Sequence, residues 1–162
     1  MIVRDATAAD LPGILEIYNE VVAHSTAIYA FDPSTLDERM RWFESRRAQG
    51  YPVLVAGEGG AVLGFASFGD FRPFPGYVTT VEHSVHVRAD RRRAGLGRAL
   101  VESLLPRARA LDKHVCVGAI DAENEPSLRL HRKLGFAEVA RMPEVARKFE
   151  RWLELVLVQK LL

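Results

Sequence analysis

The chain has 162 residues, 48% of them apolar and 27% charged, with 22 basic and 21 acidic side chains and a formal net charge of +1. That length suits one domain, residues 1–162, able to bury about two-thirds of its unfolded surface without disulfides or a structural metal. A near-neutral balance argues against nucleic-acid binding, which shows a basic excess.

The single cysteine, Cys116, allows no internal disulfide. Its apolar surroundings, Val115 to Gly118, point to a buried inert thiol rather than a nucleophile. No charged-then-apolar leader opens the chain, and no apolar run reaches the roughly 18 residues of a membrane span. A reducing, cytoplasmic location and no membrane partner are therefore expected. Pro and Gly fall as turn punctuation, with no repeat and no linker.

Ile2–Arg4 reads as a first strand. Leu11, Ile14, Leu15, Ile17, Tyr18, Val21 and Val22 then recur at helical spacing. After a loop from Ser25 to Pro33, Ser34 or Thr35 caps a second helix with Leu36, Met40, Trp42 and Phe43 on its buried side, closed by Gly50. Tyr51–Ala56 and Ala61–Phe68 form a hairpin about Glu58-Gly59-Gly60. Gly69–Gly76 is a loop, and Thr79–Val87 is strand. Ala94–Leu111 is a long helix, kinked or restarted at Pro106. Val115–Ile120 is strand, and Asn124 opens a short helix ending at Gly135. Phe136–Ala140 and Leu153–Lys160 close the chain as strands. This order predicts an α/β (α+β) fold with one central mixed, mostly antiparallel sheet and helices on both faces.

The sharpest local signal is Arg92-Arg93-Ala94-Gly95-Leu96-Gly97, between a strand and an apolar helix. A helix N-terminus offers free N–H groups and a partial positive charge. Gly95 and Gly97 let an anion approach the backbone, and Arg92, Arg93 and Arg98 add charge. The spacing is neither a Walker loop nor a dinucleotide fingerprint. Taken alone, the basic cluster is a solvated face or an anion site.

This segment resembles the acyl-CoA-binding signature of the GNAT acetyltransferases, Arg/Gln-x-x-Gly-x-Gly/Ala, and the element order resembles that fold over nearly the whole chain. Arg72-Pro73-Phe74, Thr80 to Val85, Leu130 to Phe136 and Lys148 to Trp152 are similar to the phosphinothricin and methionine sulfoximine (methionine sulfone) acetyltransferase branch.

The resemblance implies an acetyl-CoA-dependent N-acetyltransferase, without metal, acting on the α-amine of a small amino acid or analogue, and a homodimer. It implies that the backbone of Val85, His86 and Val87 bonds the pantetheine arm. Arg92, Arg93, Ala94, Gly95, Leu96, Gly97 and Arg98 would hold the pyrophosphate. Asn124 and Ser127 would meet the cofactor arm, with Asn124 equally a plain helix cap. Glu82 is the implied general base, or else a strand carboxylate paired with an arginine. His131 stands where many members have a Tyr acid; it either moves a proton or only packs near the cofactor. Alternation points His83 away from Glu82, and the backbone N–H of Val85 or its neighbour is the oxyanion donor the fold suggests.

Tyr29 and Phe31 are candidates for an aromatic wall of the substrate pocket, and Arg72 for a carboxylate or phosphinate partner, against a plain surface arginine. Pro73, Phe74, Tyr77, Lys148, Phe149 and Trp152 would complete the site, the last three being equally dimer or core contacts. Two other readings stay open: a GNAT enzyme acting on a peptide N-terminus, lysine or polyamine, and a non-catalytic CoA-binding module.

Overall fold

The computed structural model describes residues 1–162. Seven strands form one sheet: β1 (Ile2–Asp5), β2 (Val53–Glu58), β3 (Ala61–Asp70), β4 (Thr80–Val87), β5 (Val115–Asp121), β6 (Ala137–Lys148) and β7 (Arg151–Leu161). Their spatial order is β1-β2-β3-β4-β5-β7-β6. Every neighbouring pair is antiparallel except β4 and β5, which run parallel. The helices are α1 (Leu11–His24), α2 (Leu36–Ala48), α3 (Leu96–Ala110) and α4 (Glu125–Lys133).

The sheet carries a core on each face. Leu11, Ile14 and Ile17 of α1 and Phe43 of α2 pack on Val53, Val55 and Phe65. On the opposite face, Leu100 and Leu104 of α3 and Leu128 of α4 pack on Leu54, Val81 and Val156. Each such side chain contributes roughly 1.5–3 kcal/mol by leaving water. Strand alternation divides β4 between the two: Val81, Val85 and Val87 join the α3 core, while His86 packs on Phe65 of the α1 core, ring centroids 5.4 Å apart.

The expected elements are present, with shifted limits. Helix α3 starts at Leu96 rather than Ala94, because Arg93 (φ 66) and Gly95 (φ 80) are left-handed and cannot belong to a right-handed helix. It runs unbroken through Pro106. On α2 only Phe43 is buried; Leu36 is exposed, and Met40 and Trp42 are half-buried.

The largest departure is β6, which runs to Lys148 instead of stopping at Ala140. It is an edge strand with nearly every side chain exposed, so it carries no apolar alternation to read. Its Pro143 lies at a bulge between Met142 and Ala146, where a missing N–H breaks no ladder bond. The β6–β7 turn places Phe149 (φ 52) and Glu150 (φ 61) in the left-handed region, where Asn and Gly are the usual occupants.

The first strand is tied to the first helix by Arg4. Its guanidinium donates two bonds of 2.8 Å to the buried Asp10 carboxylate, which also accepts from the Thr7 N–H at 2.8 Å. The Arg4 bond holds the Asp10 carboxyl down to about 2. In the unfolded chain an aspartate titrates near 3.9, so this stabilisation is complete above about pH 4 and is lost as pH falls through about 2. Asp10→Asn should lower the thermal midpoint by a few degrees at pH 7 and flatten the stability loss between about pH 4 and 2, measured by thermal denaturation across pH.

Candidate active site

The site begins where the one parallel pair comes apart. β4 and β5 are in register only from Thr80–Val115 to His83–Gly118. Beyond that, β4 stays bonded to β3 as far as Val87, but its other edge has no strand beside it. The backbone groups of Ser84 to His86 facing the gap therefore have no strand partner and can take a ligand, while the Val87 carbonyl accepts from Arg92 Nε at 3.4 Å. A cavity of about 400 Å³ occupies this gap, at the carboxyl ends of the parallel strands.

His83 is the wedge. Its buried ring lies over Gly118, where a Cβ would come 2.9 Å from His83 Cε1 and 3.0 Å from Val158 Cγ2. Only glycine leaves room for the imidazole at the fork. His83 Nδ1 lies 2.9 Å from the Val117 carbonyl and donates to it. Its Nε2 lies 2.8 Å from His131 Nε2, so one proton sits between the two rings. His131 Nδ1 faces the Ser127 carbonyl at 2.8 Å, to which it donates, and the Ser127 hydroxyl at 3.4 Å. Burial lowers both imidazoles, His83 to about 4, with repulsion from His131 adding to it. The contacts to the Val117 and Ser127 carbonyls and between the two rings take three protons, one more than two neutral imidazoles carry, while burial works against the added charge. Cys116 is buried against His83, Sγ 3.4 Å from Nδ1, and burial pushes its thiol up to about 12.

Glu82 faces the same cavity from the other side of the strand, as alternation requires. It makes no hydrogen bond or ion pair, and its half-buried carboxyl is raised by desolvation. With no cation within 4.0 Å, the carboxylate is not half of an ion pair and is open to accept a proton.

The glycine turn is built as an anion site. Gly95 is the N-cap of α3 and offers no side chain to its first-turn N–H groups. A Cβ on Gly97 would meet nothing closer than Leu130 Cδ2 at 3.4 Å, so packing does not demand glycine there. Arg92 is bound to Glu20 at 3.3 Å and Arg98 to Glu102 at 2.8 Å, while Arg93 has no carboxylate partner. The structure brings Val85, His86, Asn124 and Ser127 to the cavity with Glu82 and His131. Val87 and residues 92–98 lie outside its wall. Asn124 caps α4, accepting from the Ser127 N–H at 3.3 Å.

The residues expected to bind substrate are not in the wall of this cavity. Arg72, Pro73, Phe74 and Tyr77 are exposed on the β3–β4 loop, with the Arg72 guanidinium over the Phe71 ring at 5.4 Å. Phe31 is 75% exposed. Tyr29 is not in the cavity wall; its hydroxyl donates to Asp121 at 2.7 Å and ties the α1–α2 loop to the end of β5. Lys148 pins the same loop: its buried ammonium donates to the carbonyls of Val22, Ser25 and Ile28, each at 2.7 Å. Phe149 and Trp152 are exposed on the β6–β7 hairpin.

The wall on the Glu82 side is instead supplied by Tyr18 of α1 and by Arg39, Trp42 and Arg46 of α2. Sequence reading passed these over, although the spacing of 39, 42 and 46 places them on one helical face. Two arginines on the apolar side of a helix were the available signal.

A split parallel pair, a bare helix N-terminus and an unpaired carboxylate in the gap define an acyltransferase scaffold. Residues 14–136 match the Acetyltransferase (GNAT) family, and the chain belongs to it. It is 53% identical to the L-methionine sulfoximine/L-methionine sulfone acetyltransferase of Pseudomonas aeruginosa, over 97% of this chain and 92% of that one. A putative acetyltransferase from Salmonella typhimurium, solved with its cofactor acetyl-CoA, superposes with a TM-score of 0.98 at 47% identity, covering 99% and 93% of the two chains. A phosphinothricin acetyltransferase from Sinorhizobium meliloti, in complex with acetyl-CoA, gives 0.96 at 36% identity, covering 99% and 88%.

The two glycines should separate cleanly. Gly118→Ala drives a methyl into His83 and Val158, an overpacking that costs about 1–3 kcal/mol. It should lower the thermal midpoint by several degrees and kcat with it. Gly97→Ala should leave the midpoint within about 2 °C and raise the KM for acetyl-CoA, because its methyl intrudes on a ligand rather than on the fold.

Proposed function

We propose that this protein transfers the acetyl group of acetyl-CoA to the α-amine of a small amino acid or analogue, of the methionine sulfone, methionine sulfoximine or phosphinothricin kind. The observation that carries the reading is Glu82: a half-buried carboxylate with no cation partner, at the mouth of the split between β4 and β5. The sulfoximine/sulfone and phosphinothricin enzymes that this chain resembles supply the acceptor class.

The residues present fit acetyl-CoA. The bare α3 N-terminus with Arg93 beside it suits the pyrophosphate, and the unpaired edge of Ser84 to His86 suits an arm bearing amides. Bound there, acetyl-CoA supplies an activated thioester. An amino acid's α-amine is protonated at pH 7, and Glu82 accepts the proton that the nitrogen must lose before it attacks. The Val85 N–H is the donor for the carbonyl oxygen as its charge grows. His131, linked through Nε2 to His83 and through Nδ1 to Ser127, is the proton store for the departing sulfur.

Glu82→Gln should lower kcat by about 100-fold or more while leaving the acetyl-CoA KM within about twofold. The base works only when ionised, and desolvation raises its pKa. The wild-type kcat should therefore fall as pH drops through a value above the ordinary carboxylate range, and this limb should vanish in Glu82→Gln. Unchanged turnover of the variant across pH removes Glu82 from the mechanism. A panel of amino acids, sulfones, phosphinates, polyamines and peptide N-termini, followed by release of free thiol, sets the acceptor class.

The same reading includes a homodimer in a reducing, cytoplasmic setting. Val145, Phe149 and Trp152 present an exposed apolar surface on one hairpin, of the kind that a second copy covers. Light scattering after size exclusion should give twice the chain mass, and Trp152→Glu should return it to one; a wild-type monomer rejects the dimer.

A further inference from the structure

We propose that Arg46, seated over Gly69, is the anchor for the carboxylate of the amino-acid acceptor. The inference rests on the amino-acid reading above and names the residue that would select an acid over a plain amine. Arg46 lies on α2 and lines the cavity. Its Nη2 stands 2.5 Å from where a Gly69 Cβ would be, with Cζ at 2.7 Å and Nη1 at 2.9 Å. Gly69 is therefore a seat: any side chain there displaces the guanidinium. Across the sheet Gly69 is the direct partner of Glu82 in the β3–β4 register. Directly opposed residues share a face, so the guanidinium and the candidate base overlie one pair of the ladder.

The guanidinium is unfinished. Its only hydrogen bond goes from Nη1 to the Gln49 side chain at 3.3 Å. Nε is buried with no partner, the only buried side-chain nitrogen or oxygen in the protein left so. No carboxylate approaches within 4.0 Å. Asp70, the acid that attracts it most, spends both its oxygens on Tyr51 and Gln49. Leaving a buried donor unsatisfied is unfavourable, and more so when it is charged. A fold that leaves a cation in that state beside a cavity has room for one more anion.

Arg39, the other guanidinium of this wall, is better served. Its Nε donates to the Ser34 hydroxyl at 3.0 Å, and its face lies over the Tyr18 ring at 4.1 Å and within 5.3 Å of Trp42. Arg46 is the one left wanting. An α-amino acid carries amine and carboxylate on one carbon. With the carboxylate on Arg46, the amine falls to the neighbouring Glu82, and a single carbon spans the two roles. A planar, two-pronged donor suits a carboxylate better than a point charge does.

The test compares one amino acid with its carboxamide, which keeps the amine and side chain and loses the negative charge. Methionine sulfone and methionine sulfone amide serve, with acetyl-CoA saturating. In Arg46→Gln, kcat/KM for the acid should fall about 100-fold, chiefly in KM, while the amide and the acetyl-CoA KM stay within about twofold. Gly69→Ala keeps the charge but evicts the guanidinium and should give the same split; Arg39→Gln should change both acceptors alike. The amide is the internal control for folding, with thermal midpoints beside it. Equal losses on acid and amide in Arg46→Gln and Gly69→Ala overturn the anchor. A wild type that acetylates neither compound overturns the amino-acid reading itself, which is a separate result.

Discussion

Everything in this molecule depends on the place where two parallel strands stop holding hands with each other's backbone. β4 and β5 bond only as far as His83 and Gly118, where the His83 ring packs over Gly118 and bonds the Val117 carbonyl. The split exposes one edge of β4 to a ligand, gives the cavity its volume and separates Glu82 on one face from His131 on the other. A continuous sheet would have placed these two groups on opposite sides of a wall. Here they share one chamber because the wall has a gap.

The chamber's charges are arranged by burial more than by pairing. Glu82 is raised, and His83 and His131 are lowered, each chiefly by desolvation. The cations that could neutralise Glu82 are otherwise engaged or set apart. Arg92 is held by Glu20, Arg39 by Ser34 and two aromatic rings, and Lys148 by three carbonyls, while Arg46, seated over Gly69 across the ladder and bonded only to Gln49, stays more than 4.0 Å from the carboxylate. Keeping a base free among so many basic residues is therefore a matter of where each guanidinium and ammonium is fastened, not of net charge.

Most of the fold was legible in the sequence because its core elements carry period. The α1 stripe, the β2–β3 hairpin and the strand–glycine turn–helix run from β4 into α3 are all present. What the sequence hid has physical reasons. The far half of β6 is an exposed edge strand with a bulge at Pro143, and such a strand needs no apolar alternation. The catalytic candidates Glu82 and His131 could be placed because strand parity and helix position decide where they point. The cavity wall on the Glu82 side could not. Arg72, Phe74 and Phe31 suit a pocket by residue type, yet they lie on exposed loops whose course no local rule fixes. The His83–His131 bond joins residues 48 apart and was likewise beyond a one-dimensional reading.

Lys148 adds a constraint on the order of assembly. The loop that it fastens, from Ser25 to Ile28, leaves the ribosome early, while the ammonium that fastens it is 120 to 126 residues further along. At roughly 5–20 residues per second of synthesis, that separation is on the order of ten seconds. Through that interval α1 lacks the buried ammonium that its C-terminal carbonyls share, and the lip of the chamber has no fixed edge. The core under α1, drawn from Leu11 to Phe65, can fill while the chain is still growing, but the core under α3, which needs Val156 and Val158, and the binding chamber are finished only after the last hairpin has been made.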